Sequence, residues 1–238
     1  MYKGVLLIFC AIWASLSQAN IVVTGTRIIY PAEQKNITVQ LTNVDKSPSL
    51  VQAWIDNGDP QAAPDQIKTP FVITPPITRV DGNKGQSLRI TYTGEPLPQD
   101  RESVFYFNIL DIPPKPSANS GVDNYLQIAI RSRLKLFYRP QNLPISVDEA
   151  YKQVQWHIER QGNKTFLVAN NQTPYFITYS ELAVEQNGGR KVSVKEADML
   201  APFSQQKFEL AGNVSQGTVA WTVINDYGAR PKGTSPLR

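Results

Sequence analysis

The sequence predicts an all-β protein of two immunoglobulin-like β-sandwich domains, and three observations predict it. Short segments of alternating apolar and polar residues recur from Ile21 onward, the period expected of half-buried strands. Proline, glycine, asparagine and aspartate punctuate them, with eighteen prolines in all, a density that long helices do not tolerate. The 238-residue length suits two domains of roughly 100 residues each once a leader is set aside.

In the first half, Ile21–Tyr30, Asn36–Thr42, Leu50–Ile55, Ser87–Tyr92, Val104–Leu110 and Tyr125–Tyr138 read as strands. Ile37-Thr38-Val39-Gln40-Leu41 shows strict alternation, which puts one face toward a core and one toward water. Asn57-Gly58-Asp59-Pro60 and Asp81-Gly82-Asn83-Lys84-Gly85 carry turn chemistry: glycine supplies positive φ, and asparagine and aspartate bond their own backbone. About seven such strands in roughly 115 residues describe an immunoglobulin-like sandwich.

The second half repeats the theme with Val154–Glu159, Thr165–Ala169, Phe176–Leu182, Arg190–Val194, Gln206–Leu210 and Thr218–Ile224. Asn187-Gly188-Gly189 reads as a hairpin turn, and Asp148–Val154 as a short helical turn. The boundary is expected at Arg139-Pro140, giving domains of residues 20–139 and 140–238.

Residues 1–19 differ from the rest. Lys3 precedes the apolar run Val5–Trp13, and Ser17-Gln18-Ala19 supplies a small-x-small cleavage pattern. This is the signature of a secretory signal peptide, so the mature chain is expected to start at Asn20 in an extracytoplasmic compartment. Its sole cysteine, Cys10, lies in that leader, which leaves the mature chain without a disulfide framework, thiol nucleophile or thiolate metal site. Removing Lys3 takes the formal charge from +4 to +3, too small a balance for a nucleic-acid signature.

Enzyme chemistry finds little to work with. His157 is the only histidine, so a histidine-based triad or multi-histidine metal site has almost nothing to draw on. Its setting, Gln155-Trp156-His157-Ile158, reads as a structural strand. No G-x-S-x-G elbow or phosphate loop occurs. The expectation is a non-enzymatic protein with no cofactor, no metal and no small-molecule substrate.

Residues 126–138 carry the functional argument. Leu126, Ile128, Ile130, Ser132, Leu134, Leu136 and Tyr138 alternate with Gln127, Ala129, Arg131, Arg133, Lys135 and Phe137. One face is nearly all apolar and the other bears three cations. A long core strand with a solvated outer face would read the same way. Thirteen residues is long for a strand, however, and the polar stretch Lys115–Asn124 lets its first half extend past a packed core. An edge presenting Leu126, Ile128 and Ile130 invites aggregation unless a partner covers it. Each such side chain, fully buried by a partner, contributes roughly 1.5–3 kcal/mol. The same edge is open to a homodimer in which two copies cap one another.

The chain also resembles a known family. Val104–Pro114 (VFYFNILDIPP), residues 126–140 (LQIAIRSRLKLFYRP) and 224–231 (INDYGARP) are similar to the periplasmic pilus-assembly chaperones of the PapD-like, chaperone–usher type. Thr26-Arg27, Ala53-Trp54-Ile55 and Thr74-Pro75-Pro76 fit the same pattern across essentially the whole mature chain. The resemblance implies two immunoglobulin-like domains set in an L, with pilin subunits and an outer-membrane usher as partners. It implies that Arg27 and Lys135 clamp the subunit's C-terminal carboxylate, and that Leu126, Ile128 and Ile130 fill a groove in the subunit as a donor strand over 125–138. It further implies an interdomain ion network of Glu102, Arg139 and Asp226, with a registry role. Many relatives carry a cysteine pair near the end of the second domain, which this chain lacks; its short 115–124 segment suggests the subclass that builds rod-like pili. A secreted immunoglobulin-like adhesion module is the alternative, since fold alone does not fix function, and a pilin subunit is expected to be one incomplete domain rather than two.

Overall fold

A computed structural model describes residues 20–115, 125–186 and 188–238. The leader, most of the 115–124 stretch and Asn187 lie outside them. The described chain is nearly all β, with seventeen strands and one short helix.

Two separate apolar cores organise it. The first is enclosed by strands β1 (Ile21–Val23), β2 (Arg27–Pro31), β3 (Asn36–Asn43), β4 (Ser49–Asp56), β5 (Phe71–Thr74), β6 (Ile77–Val80), β7 (Gly85–Tyr92), β8 (Ser103–Ile112) and β9 (Ile130–Arg139). They form a four-stranded sheet, β1-β3-β7-β5, and a five-stranded sheet, β2-β9-β8-β4-β6. Alternate residues of both sheets (Val39 and Leu41, Val51 and Ile55, Leu88 and Ile90, Phe107 and Ile109) are buried between them, the two-layer solution of an immunoglobulin-like sandwich.

The run Ile21–Tyr30, expected as one strand, is two. Gly25 takes φ +95°, and the chain crosses there from one sheet to the other, as β1 pairs antiparallel with β3 and β2 pairs parallel with β9. Positive φ at this jog costs glycine nothing that a side chain would not pay in strain. Ile28 and Tyr30 then anchor β2. The Tyr30 ring stacks on Tyr138 at 6.0 Å between centroids and meets Phe71 edge-on at 5.3 Å, and its hydroxyl accepts a hydrogen bond from Tyr92 N–H at 3.0 Å. A buried tyrosine with its hydroxyl satisfied is well fixed, so the strand bearing Arg27 has a rigid footing.

The second core begins with helix α1 (Val147–Gln153), one residue earlier than the sequence suggests. Ser146 caps it: its hydroxyl accepts from Glu149 N–H, and the Glu149 carboxylate accepts from Ser146 N–H, a reciprocal capping box. Strands β10 (Gln155–Gln161), β11 (Lys164–Asn171) and β15 (Ser204–Glu209) make one sheet. The other contains β12 (Ile177–Glu185), β13 (Lys191–Ser193), β14 (Met199–Leu200), β16 (Thr218–Val223) and β17 (Lys232–Pro236). Trp156, Leu167, Ile177, Val184, Phe208 and Trp221 fill the space between the two.

Candidate binding site

The site is built on β2 and β9. Their parallel pairing starts at Arg27↔Lys135 and runs to Pro31↔Arg139. On its other side β9 pairs with β8 from Ile130↔Asp111 to Tyr138↔Ser103. From Ile130 to Leu134, therefore, one edge of β9 has no strand beside it among the described residues. Arg27 and Lys135 stand where that open edge ends and β2 begins.

The 125–138 segment is shorter as a strand than the sequence implied. Tyr125–Ala129 are not in a strand, and β9 starts at Ile130. The reason is the partner: β8 ends at Ile112, and extended backbone needs a neighbouring ladder to be held as a strand. Leu126, Ile128 and Ile130 are 84 %, 62 % and 39 % exposed, whereas Leu136 and Tyr138 on the same face are buried in the first core. One alternating face is thus core at one end and uncovered at the other.

The outer face sorts its cations. Arg133 makes a bidentate pair with Asp56, at 2.9 and 2.6 Å, and lies over the Tyr106 ring. Asp56 is fully buried and also accepts from Asn108 Nδ2 and Gly58 N–H, each at 2.8 Å. Burial alone would raise the Asp56 carboxyl, but the hydrogen bonds from Arg133, Asn108 and Gly58 outweigh it and hold the group below the usual aspartate value. Arg131 donates to Asn108 Oδ1 and the Pro60 carbonyl and lies over Trp54. These two arginines are occupied by the chain itself.

Arg27 and Lys135 are not. Among the described residues neither joins an ion pair. Both are half-buried, and burial lowers the affinity of each for its proton. Lys135 is lowered further by Arg27 and Arg133, with Asp198 acting the other way. Arg27 lies over the Phe137 ring at 5.7 Å, and its Nε is buried without a hydrogen-bond partner. A buried donor left unpaired is costly. Two like charges in direct register, partly dehydrated and in no ion pair among the described residues, have the chemistry that charge-assisted hydrogen bonds to an anion would use.

The predicted interdomain residues come together. Arg139 donates from Nε to Glu102 at 2.7 Å, and from both Nη atoms to Asp226 at 2.7 and 3.0 Å. Burial opposes the Arg139 charge, but the hydrogen bonds and charges of Asp226 and Glu102 prevail and hold it above its ordinary value. The second Glu102 oxygen accepts from Phe176 N–H at 2.9 Å, and Phe137 packs on Phe176 at 5.8 Å. Composition gave no sign that Asp56 and Asn108 restrain Arg133 and Arg131, because the pairs join residues on different strands.

Comparison with known proteins places the chain. Residues 20–144 match the family described as pili and flagellar-assembly chaperone, PapD N-terminal domain, and residues 149–235 match the pili assembly chaperone PapD, C-terminal domain. The chaperone protein HifB of Haemophilus influenzae is 50% identical over 241 residues, covering 98% of this chain and 96% of that protein. Among solved structures, the Pseudomonas aeruginosa CupB2 chaperone is 37% identical with a TM-score of 0.78, over 91% of this chain and all of that one (100%). The SafB chaperone of Salmonella enterica, solved in complex with the SafA pilin, gives a TM-score of 0.76 at 26% identity, over 94% of this chain and 99% of the other.

Proposed function

The chain belongs to the PapD family of pilus-assembly chaperones, and from that premise we propose that it captures fimbrial subunits by lending them the open edge of β9. A subunit whose own sandwich lacks a strand would pair with β9 from Ile130 to Leu134 and bury Leu126, Ile128 and Ile130 in the gap. Its last strand would run parallel to β9, in line with β2, so that its C-terminal carboxylate arrives between Arg27 and Lys135. Main-chain pairing sets register, alternate side chains give specificity, and the carboxylate would meet cations that join no ion pair among the described residues.

The observation that carries this reading is the coincidence of three features at one edge: an unpaired stretch of backbone, an uncovered apolar face and two unpaired cations at its end. The solved complex of the SafB neighbour with a pilin supports it. Release would follow when another subunit's segment pairs better in the same groove, at an outer-membrane usher, with no nucleotide, cofactor or catalytic step. The reading of residues 1–19 as a secretory leader supports a periplasmic setting for this exchange. Purification of a tagged wild-type chain co-produced in the periplasm with a fimbrial subunit tests it; the expected result is a one-to-one complex. A subunit that accumulates equally well without the chaperone would contradict it.

A further inference from the structure

The turn after β16, residues 225–229, belongs to the second domain and reaches the strand that carries Arg27. Asn225 ties it together: its side-chain oxygen accepts from Tyr227 N–H at 3.1 Å and Ala229 N–H at 2.9 Å, while Gly228 N–H donates to the Asn225 carbonyl at 3.0 Å. A turn with this many internal bonds moves as a unit. Asp226 fixes it to Arg139 through two hydrogen bonds.

Its second foothold is Gly228. A Cβ on Gly228 would stand 2.7 Å from Thr26 Oγ1 and 3.3 Å from its Cγ2. Thr26 lies between the Gly25 jog, where the chain changes sheets, and Arg27, the first paired residue of β2. A side chain at 228 would therefore have to displace the Thr26 side chain, push the residue next to Arg27 or back the turn away from it. Gly228 also takes φ +80°, a conformation that strains other residues.

We propose that Gly228 is a positioning residue for the anion receptor: its bare Cα lets the second domain seat on Thr26, and that seat holds the start of β2 so that Arg27 stands opposite Lys135. Binding constellations work only when held to within about 0.5 Å, and one substituent at 228 demands a movement of that order. The second domain thus contributes to capture at a site whose cations both come from the first. This inference rests on Arg27 and Lys135 receiving a carboxylate.

Fluorescence titration with a labelled peptide of alternating valine and threonine, once with a free C-terminal carboxylate and once as its amide, isolates the receptor. The wild-type chain is expected to prefer the acid. Gly228→Ala should lower affinity for the acid by about tenfold or more, the loss of a charge-assisted hydrogen bond, and leave the amide unchanged. Adding Thr26→Ala removes both clashing atoms and leaves only Thr26 Cβ, at the ordinary contact distance of 3.6 Å. Acid preference should return in this double variant, although the strain at Gly228 persists and its melting temperature stays low. A Gly228→Ala chain that keeps the acid preference, or a double variant that does not regain it, overturns the proposal. A wild-type chain that binds acid and amide equally, or an Arg27→Ala chain that keeps the wild-type preference for the acid, instead overturns the carboxylate reading beneath it.

Discussion

Arg27 and Lys135 are paired residues of a parallel ladder, two cations side by side in register with neither in an ion pair among the described residues. Such a pair is unfavourable for the isolated chain, since both charges are partly dehydrated and repel each other. Nearby Arg133, by contrast, is tied to a buried aspartate.

Lys135→Met should therefore stabilise the free chain while abolishing subunit capture. Exchanging a dehydrated, unpaired charge for an apolar side chain of similar length is expected to gain about 1 kcal/mol. For a chain of this size that is a rise of roughly 2–4 °C in melting temperature. Scanning calorimetry of the free protein checks it, and a fall in melting temperature would mean that the cation contributes to folding.

Ile128→Asp should leave the fold alone and block the complex. The side chain is mostly exposed, so the change in stability should stay within about 0.5 kcal/mol. In a complex the carboxylate would be buried unpaired. Co-purified subunit at wild-type yield would refute this.

Asp56→Asn should destabilise by about 2–3 kcal/mol, since it strips the Arg133 pair of its charge inside a buried hydrogen-bonded cluster. The pH dependence has a definite sign. The folded carboxyl sits below its ordinary 3.8, so its contribution is present above that unfolded value and is lost as pH falls through the lower folded one. Urea midpoints measured from pH 5 down to pH 2 should fall less steeply in the variant than in the wild type.

Arg139→Met should cost more than Asp226→Asn. The Glu102 carboxylate is almost fully buried and Asp226 only partly so. Removing the arginine strands Glu102 at a cost of about 3–5 kcal/mol, whereas Asp226→Asn leaves Arg139 paired to Glu102. Denaturant midpoints of the two variants give the order directly.

Much of this was legible in sequence. The alternation of residues 126–138 marks one apolar and one cationic face, and the structure leaves Leu126, Ile128 and Ile130 uncovered. Strand ends were harder, because a strand extends only as far as its partner: β9 begins at Ile130 since β8 offers nothing beyond Ile112. Strands β5 and β6 flank Thr74-Pro75-Pro76, where prolines mask the period-2 signal. Strand β17, Lys-Gly-Thr-Ser-Pro, has only Thr234 among the residues that favour sheets and is held by its ladder to β16. Which cations are free was not readable at all, since Asp56 and Asn108 reach Arg133 and Arg131 from 77 and 23 residues away.

Amide hydrogen exchange of the chain, free and bound to a fimbrial subunit, tests the central claim most directly. Strong new protection should cover peptides spanning residues 126–134, continuous with the start of β2. Unchanged exchange there, with protection appearing on the second domain around Trp221, would contradict the account.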